Sequence, residues 1–384
     1  MTPAHRSCRR RKIPHIAYRR TLREEFRKNR RNRLKSAGVP STKLSTVPIR
    51  VRDDPVRPYI INIMSAWFRE FRDKGERSTP QGEHVPILLA ECVNALNPQP
   101  GQTIVDCTLG FAGHSVELLR RVGPTGRLIA FDADPTTIPV AESRLRTIGH
   151  PFHIHHGNFA GLPTALADLG VDRIDSLLAD LGMSSMQVDD PSRGFSYTRD
   201  GPLDMRLDPT RGRTAAEILA TLDEDDLAVA FRDLSDEPEA ERIAAAIVRE
   251  RKTTPLTTTA QLKRLVMAAA PVTVVKSPGL GPPEKQRMRP TMRVFQALRM
   301  LVNREIGNLE QLLRVLPDWL APGGTAAIIA FHSGEDRLVK KAFEQGFRMG
   351  RYAKIAEEPI RPSEEEKAAN PRSRSAKLRW ATVA

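Results

Sequence analysis

Four short apolar runs, each followed by a stretch of helical periodicity, constrain this chain more than any other feature of it. Thr103–Cys107 (TIVDC), Arg127–Asp132 (RLIAFD), Phe152–His156 and Ile174–Asp180 (IDSLLAD) read as strands bounded by Gly, Pro or Asp. Between them, Ser115–Val122 and Thr136–Leu145 space their apolar residues as helices do. Strand–helix alternation implies an α/β fold with a mostly parallel sheet covered on both faces. Such sheets bind ligands beyond the carboxyl ends of their strands. Chemistry is therefore expected just after each strand.

The first strand runs into Asp106-Cys107-Thr108-Leu109-Gly110-Phe111-Ala112-Gly113-His114. Glycines let a backbone turn tightly and approach a ligand closely. The loop is neither G-x-G-x-x-G nor the G-x-x-x-x-G-K-S/T phosphate loop. The second strand ends in Asp132, 26 residues beyond Asp106, where an acid can take two ribose hydroxyls. A glycine turn with a ribose carboxylate fits a dinucleotide or S-adenosylmethionine, and an ordinary β–α turn accounts for the glycines alone. The missing pyrophosphate loop and the clustered carboxylates favour the sulfonium, which carries a positive centre and no phosphate. The fourth strand ends in Asp180-Leu181-Gly182-Met183-Ser184-Ser185-Met186-Gln187. A carboxylate there can accept a proton of an exocyclic amine while the amine lone pair turns toward a methyl donor. The alternative is a capped turn.

Charge divides the chain. Residues 1–50 hold 16 Lys and Arg against 2 acidic residues, leaving 44 of each sign in the remainder, so the formal +14 belongs to the first segment. Residues 1–80 read as a basic, disordered extension with one amphipathic candidate at Ile60–Phe71. It suits phosphate attraction, a solvated tail or an organelle leader, although Glu24 and Glu25 interrupt the last pattern. No run reaches the about eighteen apolar residues of a membrane span. The cysteines Cys8, Cys92 and Cys107 are odd in number and lack C-x-x-C spacing, which suits a reducing cytoplasm. His153 and His155 alternate with Phe152 and Ile154 as on a half-buried strand, and no metal site is expected there or at His150 and His156.

Residues 205–290 carry helical signals. Thr214-Ala215-Ala216-Glu217 is a capping box, while Ile243, Ala246 and Ile247, then Leu262, Leu265 and Val266, form apolar stripes. The Pro-, Gly- and Lys-rich residues 271–290 read as a loop. A single long helix over about Val294–Leu316 then leads, through the turn Pro322-Gly323-Gly324, into a strand over Thr325–Phe331. His332 follows at the expected ligand edge. The domains expected are a basic extension 1–80, a core in two parts over 81–204 and 291–384, and a helical insert 205–290.

A series of motifs in order resembles one family. They are His84-Val85-Pro86-Ile87-Leu88-Leu89, Asp106–Ser115, Asp132-Ala133-Asp134-Pro135, Asn158-Phe159 and Asp180–Ser185, then Arg193-Gly194-Phe195-Ser196 and Gly201–Arg206. Phe295–Arg299, Phe331-His332-Ser333 with Glu335-Asp336-Arg337, and Asn370–Ser375 complete it. Over about residues 82–384 the chain resembles the bacterial ribosomal small-subunit methyltransferase H family, the rRNA cytosine-N4 methyltransferases. The resemblance implies a class I, Rossmann-like, S-adenosylmethionine-dependent methyltransferase with an inserted helical substrate-recognition domain. Its implied substrate is the N4 amine of a cytidine in the decoding region of 16S rRNA, in an assembled or nearly assembled small subunit.

Carried over by position, the cofactor contacts are Ala112, Gly113, His114, Asp132, Phe159, Asp180 and Gln187. Asp180 and His332 are the catalytic candidates, and Ser184, Ser185, Arg193, Phe195, Arg372 and Arg374 the candidates for RNA contact. Phe195 and Tyr197 can either stack on a displaced base or pack their own loop. The loop Gly110-Phe111-Ala112-Gly113-His114 departs from the family's run of glycines, and Gly334 replaces an apolar residue. Ser235-Asp236-Glu237 stands where the family has Gly-Glu-Glu. A non-catalytic RNA-binding assembly factor, or an amine methyltransferase for DNA or a small molecule, would share the core.

Overall fold

The computed structural model describes residues 86–272 and 286–384. The basic extension, its amphipathic candidate and most of the 271–290 loop lie outside the described residues.

The chain begins with α1 (Leu89–Leu96), β1 (Thr103–Asp106), α2 (Gly113–Val122), β2 (Arg127–Asp132) and α3 (Ile138–Arg146). β3 (Phe152–His156), α4 (Leu162–Asp168) and β4 (Ile174–Asp180) continue the alternation. Successive strand residues point to opposite faces. Val105, Ile129 and Leu177 join one buried cluster with α4, while Ile104, Leu128 and Leu178 join another with α1, α2 and α3. Both faces are covered, which is why the runs are continuously apolar. β3 is the exception: at the sheet edge its burial is partial, as the histidine alternation predicts.

A helical block follows: α5 (Ser185–Asp189), α6 (Ala215–Thr221), α7 (Glu224–Ser235), α8 (Ala240–Glu250) and α9 (Thr259–Ala269). The predicted Thr214 capping box forms, with Glu217 N–H donating to Thr214 Oγ1 (3.1 Å) and Thr214 N–H to Glu217 Oε2 (2.9 Å). The block has its own core around Phe231, Ile243, Ile247, Leu262 and Val266. Phe195, Leu203 and, from beyond residue 290, Val294 and Leu298 also pack into it, so the helical core reaches past both ends of the 205–290 span.

The return path differs from expectation in two ways. The single long helix is two, α10 (Arg289–Val302) and α11 (Glu305–Trp319). Arg304 takes a left-handed conformation (φ 53°), and Asn303 Nδ2 donates to Met205 O (2.8 Å) and Arg299 O (2.9 Å) while its Oδ1 accepts Leu207 N–H (2.8 Å). The break is a tertiary tie to the insert. The next strand, β5 (Leu320–Ala330), starts earlier than expected. Its Pro-Gly-Gly turn is absorbed as a bulge, since Ile174 pairs with Leu320 but Ser176 with Thr325. The chain then forms α12 (Ser333–Arg348), β6 (Tyr352–Ile355), α13 (Glu364–Ala369) and β7 (Lys377–Val383). β7, which carries the basic residues Lys377 and Arg379, lies inside the sheet between β5 and β6.

Strand order is β3-β2-β1-β4-β5-β7-β6, parallel throughout β1–β5, with β7 antiparallel to both neighbours. This is the class I methyltransferase arrangement the resemblance implies. The order reverses between β1 and β4, and a ligand crevice opens outside the strand ends at such a point. Asp106 and Asp180 close those two strands.

Candidate active site

The loops after β1 and β2 are each organised by the acid that precedes them. Asp106, 1% exposed, accepts Ser115 Oγ (2.6 Å) and Thr108 N–H (3.0 Å), tying the glycine loop to the first turn of α2. Thr108 Oγ1 in turn accepts Asp180 N–H (2.7 Å), linking the β1 and β4 tips. Within the loop, Ala112 sits in left-handed conformation (φ 63°) although it is not glycine, which costs on the order of 1–2 kcal/mol. The next position leaves little space: a Cβ on Gly113 would stand 3.1–3.3 Å from the Pro86 ring.

Asp132 braces the same loop. Its Oδ2 accepts Gly110 N–H (2.9 Å) and Thr137 Oγ1 (2.8 Å), and its Oδ1 accepts Asp134 N–H (2.8 Å). Three of roughly four acceptor positions are filled, and one remains for a ligand. Burial pushes its carboxyl up to about 6 against those hydrogen bonds.

Asp180 is in the opposite condition. Its Oδ1 is buried with no hydrogen-bond partner among the described residues, while the side chain as a whole stays 18% exposed. Oδ2 lies 3.9 Å from His114 Nδ1. Burial pushes this carboxyl up to about 6, an effect His114 opposes and Asp106 and Glu335 reinforce. An unpartnered buried acceptor costs about 1–3 kcal/mol. Asp180 thus holds an open acceptor position at the reversal of strand order.

The serine loop is fixed by a residue whose role the sequence alone did not reveal. Asp134 is fully buried, and its Oδ2 accepts Gln187 Nε2 and Arg193 Nη1, both at 2.8 Å. Although burial opposes it, hydrogen bonds from Thr136, Gln187 and Arg193 hold its carboxyl below the ordinary range. Ser184 and Gln187 form a capping box at α5, with Gln187 N–H donating to Ser184 Oγ (3.2 Å). Arg193 also donates to Arg206 O and Leu207 O, and its guanidinium lies 5.6 Å from the Phe195 ring centroid. Its donors are therefore engaged within the fold. Phe195 is buried in the helical core, and Tyr197 packs edge-on against Phe295 at 5.7 Å, the loop-packing alternative. The signal for Asp134 was local: an Asp with Thr two residues on suits an Asx turn, and Thr136 N–H does donate to it (3.0 Å).

His332 caps α12, its Nδ1 accepting Glu335 N–H at 3.4 Å. Its Nε2 lies 3.1 Å from Glu335 Oε1 but out of line for a hydrogen bond, so this buried nitrogen has no hydrogen-bond partner among the described residues. Glu335 accepts Phe331 N–H through Oε2 (3.0 Å) and faces Asp180. Of the C-terminal basic residues, Arg379 and Lys377 grip Asp336 at 2.6 and 2.9 Å. Arg372 pairs with Asp189 at the end of α5 (3.2 Å), and Arg374 is exposed facing Glu364. The structure thus joins Gly110–His114, Asp132, Asp180, Ser184, Gln187 and Arg193 through direct contacts. Phe159, packed against the sheet core beyond β3, and Arg374 stand apart from that set. Ser185 opens α5. Among the described residues, no three His, Cys, Asp or Glu side chains are grouped to hold a metal, and Cys92 and Cys107 are buried free thiols.

The model of the MraW methylase family matches residues 81–384. The ribosomal RNA small subunit methyltransferase H of Acidobacterium capsulatum is 44% identical over 304 residues, covering 78% of this chain and 97% of that protein. That of Chromobacterium violaceum is 44% identical over 319 residues, 79% of this chain and 96% of its own length. The protein named ribosomal RNA small subunit methyltransferase H 1 in Lachnoclostridium phytofermentans is 43% identical over 312 residues, with 80% and 83% covered. The matched span contains the whole described sheet, the helical insert and all the motifs at the strand tips, and the chain belongs to the MraW methylase family.

Proposed function

We propose that the chain methylates the exocyclic N4 amine of a cytidine in the decoding region of 16S rRNA, using S-adenosylmethionine, in the cytoplasm and on an assembled or nearly assembled small subunit. The names of its relatives support the rRNA substrate. The observation that carries the chemistry is the open, buried acceptor of Asp180 at the β1/β4 reversal.

The donor set suits a cationic, phosphate-free cofactor. Carboxylates of Asp106, Asp132, Asp180 and Glu335 cluster at the strand tips, and a buried carboxylate oxygen without a partner fits a positive group. When bound, S-adenosylmethionine supplies an activated methyl group. The glycine loop through His114 and the remaining acceptor position of Asp132 would hold it, and the family resemblance assigns Phe159 to the adenine. Gln187 acts from behind, by holding Asp134.

The acceptor amine needs help because its lone pair is delocalised into the pyrimidine ring. Asp180, by accepting one of its hydrogens, favours the pyramidal form and receives the proton released on transfer. His332 Nε2, the hydrogen-bearing nitrogen of the neutral ring while Nδ1 accepts Glu335 N–H, is a donor positioned to orient the base. Alignment within about 3–3.5 Å supplies most of the rest. Arg372 and Arg374 offer phosphate contacts beside α5.

The test is tritiated methyl transfer to assembled small subunits, naked rRNA and DNA, with mass mapping of methylcytidine in rRNA from cells with and without the gene. Label on the small subunit and loss of one N4-methylcytidine on deletion are expected. Label on DNA, or unchanged rRNA, overturns the proposal.

A further inference from the structure

His114 is 7% exposed and faces two ways. Its Nε2 lies 3.0 Å from Ile87 O. A carbonyl can only accept, so Nε2 carries a hydrogen. In the neutral ring Nδ1 is then the bare nitrogen, and Nδ1 is the atom turned toward Asp180 Oδ2 at 3.9 Å. The backbone before α1 thus sets the tautomer of a ring that looks onto the open acid.

We infer that His114 is a positioning residue for Asp180, keeping the carboxylate ionised by taking over, on its bare Nδ1, the proton Asp180 receives from the acceptor amine. This rests on Asp180 being the acceptor proposed above. An amine nitrogen that gains a methyl group must lose one hydrogen. The N–H bond breaks with its electron pair kept on nitrogen, and the proton forms an O–H bond on Asp180. Onward transfer to Nδ1 restores the carboxylate and leaves a cationic imidazole, with no change in oxidation state. The surroundings require such a partner. Asp106 from β1 and Glu335 from α12 face Asp180 and raise its proton affinity, and the buried Cys92 thiol from α1 faces it as a neutral group. His114 opposes them. On its other side Glu366 of α13, which accepts Leu88 N–H at 2.9 Å, supplies a negative charge beside the ring.

The experiment titrates the Asp180 carboxyl carbon by NMR in full-length protein labelled with ¹³C-aspartate, without substrate. The signal is identified by its loss in Asp180→Asn. His114→Gln keeps a donor for Ile87 O but has no nitrogen that can take a proton, and should move the carboxyl midpoint upward by about one pH unit, a tenfold change in proton affinity. The acid limb of kcat should move with it, separately from any change in KM for S-adenosylmethionine. Glu366→Gln, which retains an acceptor for Leu88 N–H, is a milder variant and should move the midpoint the same way by less. A midpoint unmoved in both variants overturns the pairing. A midpoint that moves while the limb of kcat stays supports the pairing and removes Asp180 from the reaction instead.

Discussion

Asp180 and Asp132 each hold a negative charge where burial disfavours it, and the cost has a definite sign. Burial pushes both folded carboxyls up to about 6, above the ordinary value of 3.8. The folded state therefore binds protons more tightly than the unfolded chain. The stability this confers is fully present below pH 3.8 and is lost as pH rises through 6. Replacing Asp180 by Asn removes a charge that opposes folding at neutral pH. Asp180→Asn is expected to gain up to about 3 kcal/mol at pH 8, the equivalent of roughly two pH units, with the gain vanishing toward pH 4. Methyl transfer should fall about 10²- to 10⁴-fold, the range of a lost acid–base group. Urea unfolding at both pH values and single-turnover transfer check both halves, and a variant that is less stable at pH 8 contradicts the assigned strain. Asp132→Ala should instead weaken S-adenosylmethionine binding about tenfold or more in titration calorimetry, since it frees Gly110 N–H and removes the remaining ligand position. Both acids were legible in the sequence because they end apolar runs. Asp134 was not, because the groups that give it meaning, Gln187 and Arg193, arrive from 53 and 59 residues away.

At the scale of elements, the short α5 is held by buried polar contacts more than by its own length. Five residues cannot form a stable helix alone, and α5 is anchored by its capping box and by Gln187 on Asp134. Arg193 binds the following turn to the same carboxylate with a side chain only 13% exposed. Arg193→Met should cost about 3–5 kcal/mol, because it leaves a buried carboxylate without its cation. Arg193→Met combined with Asp134→Asn should recover a large part of that loss, since the double change removes the stranded charge. Thermal unfolding of the three variants measures the coupling, and simple additivity contradicts it. The strands and helix starts of this region were readable because capping boxes and apolar runs are local signals. The break between α10 and α11 was not. Helical periodicity continues through Leu301 and Val302 into Leu309, while Asn303 stops the helix by reaching Met205 and Leu207, about a hundred residues earlier in the chain. The bulge in β5 has the same character: Pro322-Gly323-Gly324 reads as a turn, and its place in the ladder is set by β4.

At the scale of the molecule, charge is separated from chemistry. The strand-tip site is acidic, with Asp106, Asp132, Asp180 and Glu335 gathered there, and a polyanionic substrate is repelled by such a site unless cations elsewhere hold it. Residues 51–384 carry no net formal charge, whereas residues 1–50 carry +14. Several basic groups of the described body are also committed internally, Arg193 to Asp134 and Lys377 and Arg379 to Asp336. Phosphate attraction should therefore fall largely to the first 50 residues. Binding through Z phosphates makes the logarithm of affinity fall with the logarithm of salt at a slope of about −0.7Z to −0.9Z. Deleting residues 1–50 should reduce that slope by about 4 if some five contacts are lost. The same deletion should leave S-adenosylmethionine affinity and the unfolding midpoint unchanged, because the site and the three cores lie in residues beyond it. Fluorescence anisotropy with an rRNA fragment between 50 and 200 mM salt measures the slope. An unchanged slope would place the phosphate contacts on the body, and Arg372→Ala with Arg374→Ala would then be the change that lowers it.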